Sequence, residues 1–216
     1  MTLELIGIII GAYLLGSIPS AVLVGKAFHG IDIREHGSNS AGATNTFRVL
    51  GKKSGTLVLA MDIIKGLTAV NLAFLVDDYG VFERLMNLKL TLGLVAVFGH
   101  IYPVFAGFKG GKGIATLLGM VIALHGYLAL GVLAVFLIVQ LLTNMVSAGS
   151  ITAAMSFSIF VWLIFGYSEP VLLIFGLMVS ILVMYTHRTN IARIINGTEK
   201  KIYLFKRKND QVHEHG

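Results

Sequence analysis

Long apolar runs alternate with short polar stretches along this chain. Runs such as IIIGAYLLGS and LTLGLVAVFG are typical of helices in a lipid bilayer, because about 20 apolar residues cross its hydrocarbon core. Seven segments approach this length, roughly at 3–25, 54–76, 90–107, 113–127, 128–146, 150–167 and 170–187. Only His125 and Gly126 separate the fourth from the fifth. The pattern predicts an all-α, polytopic integral membrane protein with seven transmembrane helices.

Composition supports this class and narrows the chemistry. Of the 216 residues, 56% are hydrophobic and 13% are charged, and the mean hydropathy is +0.82. A soluble domain usually carries about 25% charge. The chain has no cysteine, which excludes disulfides, thiolate nucleophiles and Cys-ligated metals. We expect a membrane domain over 1–203 and a basic, poorly ordered cytoplasmic tail over 204–216.

The basic residues predict the orientation. Fourteen of the 17 Lys and Arg residues follow the first, third or seventh segment. Arg84 and Lys89 lie on the opposite side, and Lys65 lies inside a segment. The positive-inside rule then places the N-terminus outside and the C-terminus in the cytoplasm. Three polar stretches, at 34–53, 107–116 and 187–199, would all emerge on the cytoplasmic face.

The first polar stretch is REHGSNSAGATNTFRVLGKKSG. Its small donors are Ser38, Asn39, Ser40, Thr44, Asn45 and Thr46. Together with glycines and Arg48 they are suited to bind an anion. The alternative is an ordinary turn followed by a capped helix, since Asn and Ser favour both.

The second stretch, FKGGKGIAT, places Lys112 among Gly110, Gly111 and Gly113, just before a helix. Glycines allow positive φ angles and close backbone approach, and a helix N-terminus attracts anions. Two lysines at a membrane edge are also found as plain topology signals. That role does not require three glycines, so we favour phosphate binding. The stretch is not a Walker A loop, because Gly113 follows the lysine.

The third stretch, HRTNIARIINGTEKK, carries His187 and Asn190 on one helical face, with Arg193 and Glu199 beyond. Its alternative is a basic segment that ends the last span. Inside the second span, Asp62 and Lys65 are three residues apart and form an expected supporting ion pair. His100 near the end of the third span is interpreted as a hydrogen-bonded packing residue.

Missing patterns exclude other chemistries. No His is followed by Asp five positions later, which excludes the H-x4-D acyltransferase arrangement. Aspartates are too few near the predicted cytoplasmic side for an Asp-rich metal site, so we expect no metal and no cofactor.

The combined motifs resemble the bacterial membrane-integral acyl-phosphate:glycerol-3-phosphate acyltransferase family. They are GSIPSA at 16–21, DIREHGSNSAGATNTFRVLGKKSG at 32–55, DIIKG at 62–66, GHIYPVFAGFKGGKGIAT at 99–116 and HRTNIARIINGTE at 187–199. The resemblance implies transfer of a fatty acyl group from acyl phosphate to the 1-hydroxyl of glycerol 3-phosphate. The products would be lysophosphatidate and phosphate, for phospholipid biosynthesis at the inner membrane.

Residue roles follow by motif position. The catalytic set would be Ser38, Arg48, Lys112, His187 and Asn190. The substrate-binding set would be Asn39, Ser40, Thr44, Asn45, Gly110, Gly111, Gly113 and Thr116, and the supporting set Asp62, Lys65, His100, Arg193 and Glu199. The family usually has Asn where this chain has Ser40.

Direct transfer without an acyl-enzyme is the simpler mechanism, since acyl phosphate is already activated. The proton of the acceptor hydroxyl has two candidate destinations, His187 and a substrate phosphate oxygen.

Expected partners are the two substrates, the bilayer and a membrane-associated enzyme that supplies acyl phosphate; nucleic acid is not expected. An organic-anion transporter and a scaffold that binds anionic lipids are the competing classes. Product formation from acyl phosphate and glycerol 3-phosphate separates the enzyme from both.

Overall fold

The computed structural model describes residues 3–76, 82–166 and 170–203, and in these ranges every regular element is a helix. The α-helices are α1 Leu3–Ser17, α2 Ser20–His29, α3 Ala43–Asn71, α4 Phe82–Ile101, α5 Ile114–Leu124, α6 Gly126–Thr143, α7 Val146–Phe165, α8 Pro170–Thr186 and α9 Arg188–Ile195. Short 3-10 helices lie at Ile33–Glu35, Leu72–Leu75 and Val104–Ala106. The predicted outer connections around 77–81 and 167–169, and the predicted tail 204–216, fall outside the described residues.

Each predicted apolar segment contains a helix, but several of these helices are short or bent. Four helical segments are long and apolar enough to cross a membrane, and they contain α3, α4, α6 and α7. The pairs α1–α2 and α8–α9 bend by 43° and 68°, and each gives one more candidate span if it is counted whole. Helix α5 has 11 residues, or about 16 Å, which is half the hydrocarbon core. The count of seven and the orientation of the termini therefore stay predictions.

Helix α3 begins earlier than the sequence suggested. The predicted loop over 34–53 divides into a true loop, which ends at Gly42, and the first turns of α3, which begin at Ala43. A local break at Gly51, with φ of 81°, follows these turns. Apolar content alone placed the start of this helix too late, because its first turns are polar. Thr44, Asn45 and Arg48 therefore lie on a helix rather than in a loop.

Close helix contacts position the second polar stretch. Helix α3 packs mainly on α5, and α1 packs on α4. A Cβ on Gly66 would collide with the backbone carbonyl of Thr116, and a Cβ on Gly119 with that of Ile63. Small residues let helix backbones approach closely in lipid, where packing drives association. The start of α5, which carries Lys112 just before it, is thereby fixed against α3.

Candidate functional site

The loop between α2 and α3 is shaped by Asn45. This side chain is buried, and its Nδ2 lies 2.9 Å from His36 O and 3.1 Å from both Ile33 O and Ser40 O. Its Oδ1 accepts from the backbone N–H of Ser38 at 2.8 Å. Because both ends of the amide are used inside the loop, Asn45 helps to fold that loop, and its predicted substrate contact stays a prediction.

The other predicted donors of this loop lie on its more open side. Ser38 and Asn39 are exposed, and Ser40 and Thr44 are half-buried. Asn39 has φ of 58° and donates from Nδ2 to the carbonyl of Arg34 at 2.8 Å. Their roles as substrate contacts stay predictions. Arg48 lies one turn further along α3 and is half-buried.

The Gly-Gly-Lys-Gly loop packs on the end of α4. The N–H groups of Gly110 and Gly111 donate to the carbonyls of Ile101 and His100, both at 3.2 Å. A Cβ on Gly111 would collide with His100 Nε2. These two glycines do not have positive φ angles, and their N–H groups are occupied. These two glycines therefore allow close packing on the end of α4, and their predicted contact with phosphate stays a prediction.

Gly113 differs from its neighbours. Its φ of 82° lies in the left-handed region, and it forms the N-cap of α5. The first N–H groups of a helix have no intrahelical partner and attract anions. Thr116, two residues into α5, is fully buried against α3, and its hydroxyl has no partner within the described residues. The predicted substrate contact of Thr116 stays a prediction.

His187 lies at the corner between α8 and α9. Its Nδ1 is 2.9 Å from the carbonyl of Val183, four residues earlier. A carbonyl only accepts hydrogen bonds, so Nδ1 carries the proton of the neutral ring and Nε2 is the free base. The predicted continuous helix is interrupted here, and Asn190 lies in the first turn of α9 instead.

Lys112 and Asn190 join the second and third stretches. Lys112 donates from Nζ to Asn190 Oδ1, across 78 positions of sequence. Asn190 Nδ2 then donates to Glu199 Oε1 at 2.6 Å, and Arg193 Nε donates to Glu199 Oε2 at 2.7 Å. Ser147, in the first turn of α7, donates to the same carboxylate at 2.7 Å. Glu199 is thus the hub that orients the Asn190 amide.

Sequence reasoning missed Ser147. The signal was present: Thr143, Asn144 and Ser147 form a fourth polar interruption, on the same predicted face as the other three. It was overlooked because it holds no charge and no glycine cluster.

The electrostatics favour an anion. Burial, together with the nearby charges of Arg193 and Arg48, lowers the pKa of the Lys112 ammonium to about 8, although Glu199 opposes this shift. Burial disfavours ionisation of Glu199, but hydrogen bonds from Asn190, Ser147 and Arg193 outweigh it, so its pKa lies below the ordinary value. Three cations thus surround one carboxylate. The excess positive charge and the partial desolvation suit a phosphate group.

The first stretch is tied to the other two by two further contacts. Arg34 forms an ion pair with Asp32 at 2.7 Å and donates from Nη1 to the carbonyl of Ala106 at 2.8 Å. Lys200 donates from Nζ to the carbonyl of Gly37 at 3.2 Å. The structure therefore brings all three predicted stretches to one end of the helix bundle.

Asp62 and Lys65 form the predicted ion pair at 2.9 Å, fully inside the protein. Lys65 Nζ donates to the carbonyl of Ile18 at 3.0 Å, and Ser20 Oγ donates to Asp62 Oδ1 at 2.8 Å. These bonds satisfy the backbone where Pro19 interrupts the first span. His100 Nδ1 lies 3.6 Å from Asp62 Oδ1. The pair therefore connects the break in the first span with the residue that packs under Gly111.

Among the described residues, no group of three His, Asp or Glu side chains is placed to hold a metal ion.

Comparison with known proteins gives consistent matches over most of the chain. A model of the glycerol-3-phosphate acyltransferase family matches residues 6–197. The glycerol-3-phosphate acyltransferase of Chlorobaculum tepidum is 41% identical, over 96% of this chain and 100% of its own. That of Fusobacterium nucleatum is 42% identical, over 89% and 95%.

Two solved structures resemble the fold. The crystal structure of PlsY (YgiH), an integral membrane glycerol 3-phosphate acyltransferase, in its glycerol 3-phosphate form superposes with a TM-score of 0.81 at 39% identity. It covers 92% of this chain and 96% of that chain. The lysophosphatidic acid form gives a TM-score of 0.77 at 38% identity, over 92% and 95%.

Proposed function

The chain belongs to the glycerol-3-phosphate acyltransferase family, and from this premise we propose that it transfers a fatty acyl group from acyl phosphate to the 1-hydroxyl of glycerol 3-phosphate. The products are lysophosphatidate and inorganic phosphate. The observation that carries the proposal is the cluster of Lys112, Asn190, Arg193 and Glu199, which has an excess of positive charge and is assembled from two distant stretches. Arg48 adds its charge to the same place.

Transfer takes place directly between the substrates. The 1-hydroxyl oxygen attacks the acyl carbonyl carbon, and the bond between that carbon and the phosphate oxygen breaks. The chain has no cysteine, and phosphate is already a good leaving group, so an acyl-enzyme adds nothing. The protein positions two anions and stabilises the charge on the departing phosphate.

The hydroxyl proton has two possible acceptors. His187 Nε2 is free, since Nδ1 donates to Val183 O. An oxygen of a bound phosphate is the other acceptor, and needs no protein group. The His187→Ala variant separates them: loss of kcat with an unchanged KM assigns the proton to the ring, and retained kcat assigns it to the substrate.

The substrates indicate which kind of enzyme supplies the acyl donor and where the site lies in the membrane. Acyl phosphate is amphipathic and easily hydrolysed, so a membrane-associated enzyme that makes it is the expected partner. The acyl chain enters laterally from the bilayer. We place the site on the cytoplasmic side of the inner membrane, where most basic residues are predicted to lie.

The first test uses purified protein in detergent, acyl phosphate and labelled glycerol 3-phosphate, without ATP, coenzyme A or added metal. We expect labelled lysophosphatidate. Product that appears only with acyl-coenzyme A would overturn the assignment of the donor, and uptake into vesicles without product would indicate a transporter.

The chain offers a matched pair for the second test. Lys112 is in the cluster, whereas Lys109, three residues earlier in the same loop, is exposed. Lys112→Ala should lower kcat/KM by about 100-fold or more, because a half-buried cation that binds a substrate phosphate is lost. Lys109→Ala should stay close to wild type. Equal losses in the two variants would mean that only the general charge of the loop matters.

A further inference from the structure

Residues 198–203, which follow the turn after α9, lie across the junction between α6 and α7; we call them the strap. The N–H of Ile202 donates to the carbonyl of Asn144 at 2.7 Å, and Gln140 Nε2 donates to the carbonyl of Ile202 at 2.8 Å. Further back, Glu199 accepts from Ser147 in the first turn of α7. The strap is therefore fastened to both helices of this hairpin.

Gln140 is an unexpected residue at its position. It is 1% exposed in α6, a mostly apolar helix, and its Oε1 has no partner within the described residues. A buried amide that lacks a hydrogen bond is costly. Polar residues kept inside membrane helices usually serve an interaction or a function. The bond from its Nε2 to the strap is the interaction that the structure shows.

The strap connects Gln140 with the anion cluster. Glu199 lies three residues before Ile202, so the attachment of Ile202 sets where the Glu199 carboxylate can reach. That carboxylate accepts from Asn190 at 2.6 Å, and the other end of the Asn190 amide accepts from Lys112. An amide that is held at one end by a carboxylate presents its oxygen at the other end, which is the orientation that Lys112 needs.

We propose that Gln140 is a positioning residue for the acyl transfer: by fastening the strap at Ile202 it holds Glu199 in place, and through Glu199 it holds Asn190 and Lys112 ready for the phosphate of glycerol 3-phosphate. The inference rests on the proposed function. Gln140 itself touches no substrate.

The test compares Gln140→Leu with wild type in detergent, by steady-state kinetics and thermal unfolding. Leucine fills similar space without a donor. The loss of one hydrogen bond should raise KM for glycerol 3-phosphate roughly fivefold, while KM for acyl phosphate changes less. Leu142→Ala is the control, because Leu142 lies on the same helix and is 79% exposed. If KM for glycerol 3-phosphate is unchanged in a folded Gln140→Leu protein, the proposal is wrong.

Ile202→Pro provides a second route if Gln140→Leu does not fold. It removes the N–H that donates to Asn144, and it lies outside the helices. The same rise in KM for glycerol 3-phosphate is expected, and its absence in a folded protein would overturn the proposal.

A double-mutant cycle with Ser147→Ala separates positioning from general stabilisation. Ser147 bonds the Glu199 carboxylate directly, whereas Gln140 fastens the strap that carries Glu199. Their effects on KM for glycerol 3-phosphate should therefore couple rather than multiply. Independent effects would contradict the path through Glu199. Failure of the proposed function is distinguishable, because wild-type protein would then form no lysophosphatidate from acyl phosphate at all.

Discussion

Lys112 is a half-buried cation, and its pKa reflects both its charge and its partial burial. Burial and the charges of Arg193 and Arg48 lower its pKa to about 8, while Glu199 opposes them. The ammonium is therefore charged below about pH 8 and loses its proton as pH rises through that value, well below the range of a free lysine.

The titration of Lys112 predicts how kcat/KM changes with pH on the alkaline side. Plots of kcat/KM against pH report groups of the free enzyme, so kcat/KM should fall as pH rises through about 8. In Lys112→Arg, if it is active, the fall should move to higher pH, because arginine keeps its charge. In Glu199→Gln the fall should move to lower pH, since the carboxylate that favours the ammonium is gone. A wild-type profile that stays flat to pH 10 would contradict this assignment.

At the residue scale, the sequence draws attention to polar side chains that stand out between apolar spans. Arg48, Lys112 and Asn190 are predicted as site residues on that ground. The loop-folding role of Asn45 was not predictable, since its partners are backbone carbonyls that any sequence supplies. Ser147 was missed for a related reason: one hydroxyl at a helix start is usually a cap.

At the scale of elements, a buried ion pair stabilises the chain where the first span is interrupted at Pro19. Asp62 and Lys65 on α3 bind Ser20 and the carbonyl of Ile18, on either side of Pro19. The sequence predicted the pair from its i,i+3 spacing. It gave no sign of the partner, because nothing in the local pattern indicates which other helix a pair within a span faces.

Removing one partner of this pair should destabilise the protein. Asp62→Asn leaves the Lys65 ammonium buried without its counter-charge, which should lower the free energy of unfolding by roughly 3 kcal/mol. The double variant Asp62→Leu with Lys65→Met should be more stable than Asp62→Asn, since no charge remains buried. Thermal unfolding in one detergent measures both. If the double variant is the less stable of the two, specific bonds to Ser20 and Ile18 outweigh the cost of burying the charges.

The glycine loop provides a second prediction at this scale. Gly111→Ala places a methyl group against His100 Nε2 and 3.1 Å from Ala41 O, so the loop must shift and carry Lys112 with it. We expect a loss of activity larger than that of Gly126→Ala, where a Cβ meets nothing within 4 Å. Steady-state kinetics of the two variants measure this difference. Equal activities would show that the packing of Gly111 is dispensable.

At the scale of the whole molecule, the fold places residues from opposite ends of the chain at one end of the bundle. Topological reasoning anticipated this, because all three stretches were predicted on one face. The lengths of the helices were not anticipated: hydropathy gave α5 a full span, whereas it ends after 11 residues at Leu124. Hydropathy does not distinguish a short buried helix from a spanning one when the next apolar helix follows directly.

Orientation in the membrane can be tested in the natural cysteine-free background. Lys52→Cys lies on the side predicted to face the cytoplasm, and Ser168→Cys lies in a predicted outer connection. In spheroplasts, a membrane-impermeant maleimide should label Ser168→Cys. It should label Lys52→Cys only after the cytoplasmic membrane is permeabilised. The reverse pattern would place the site on the outer side.

The convergence of three distant stretches on one anion is tested most directly by calorimetric binding of glycerol 3-phosphate. Three variants, one from each stretch, are compared with basic neighbours as controls: Arg48→Ala with Lys52→Ala, Lys112→Ala with Lys109→Ala, and Asn190→Ala with Arg188→Ala. We predict that each of the first members weakens binding at least tenfold, as expected for loss of a hydrogen bond that involves a charged group, and that the controls bind like wild type. Wild-type affinity in folded Arg48→Ala, Lys112→Ala or Asn190→Ala protein would show that the stretches do not form one site.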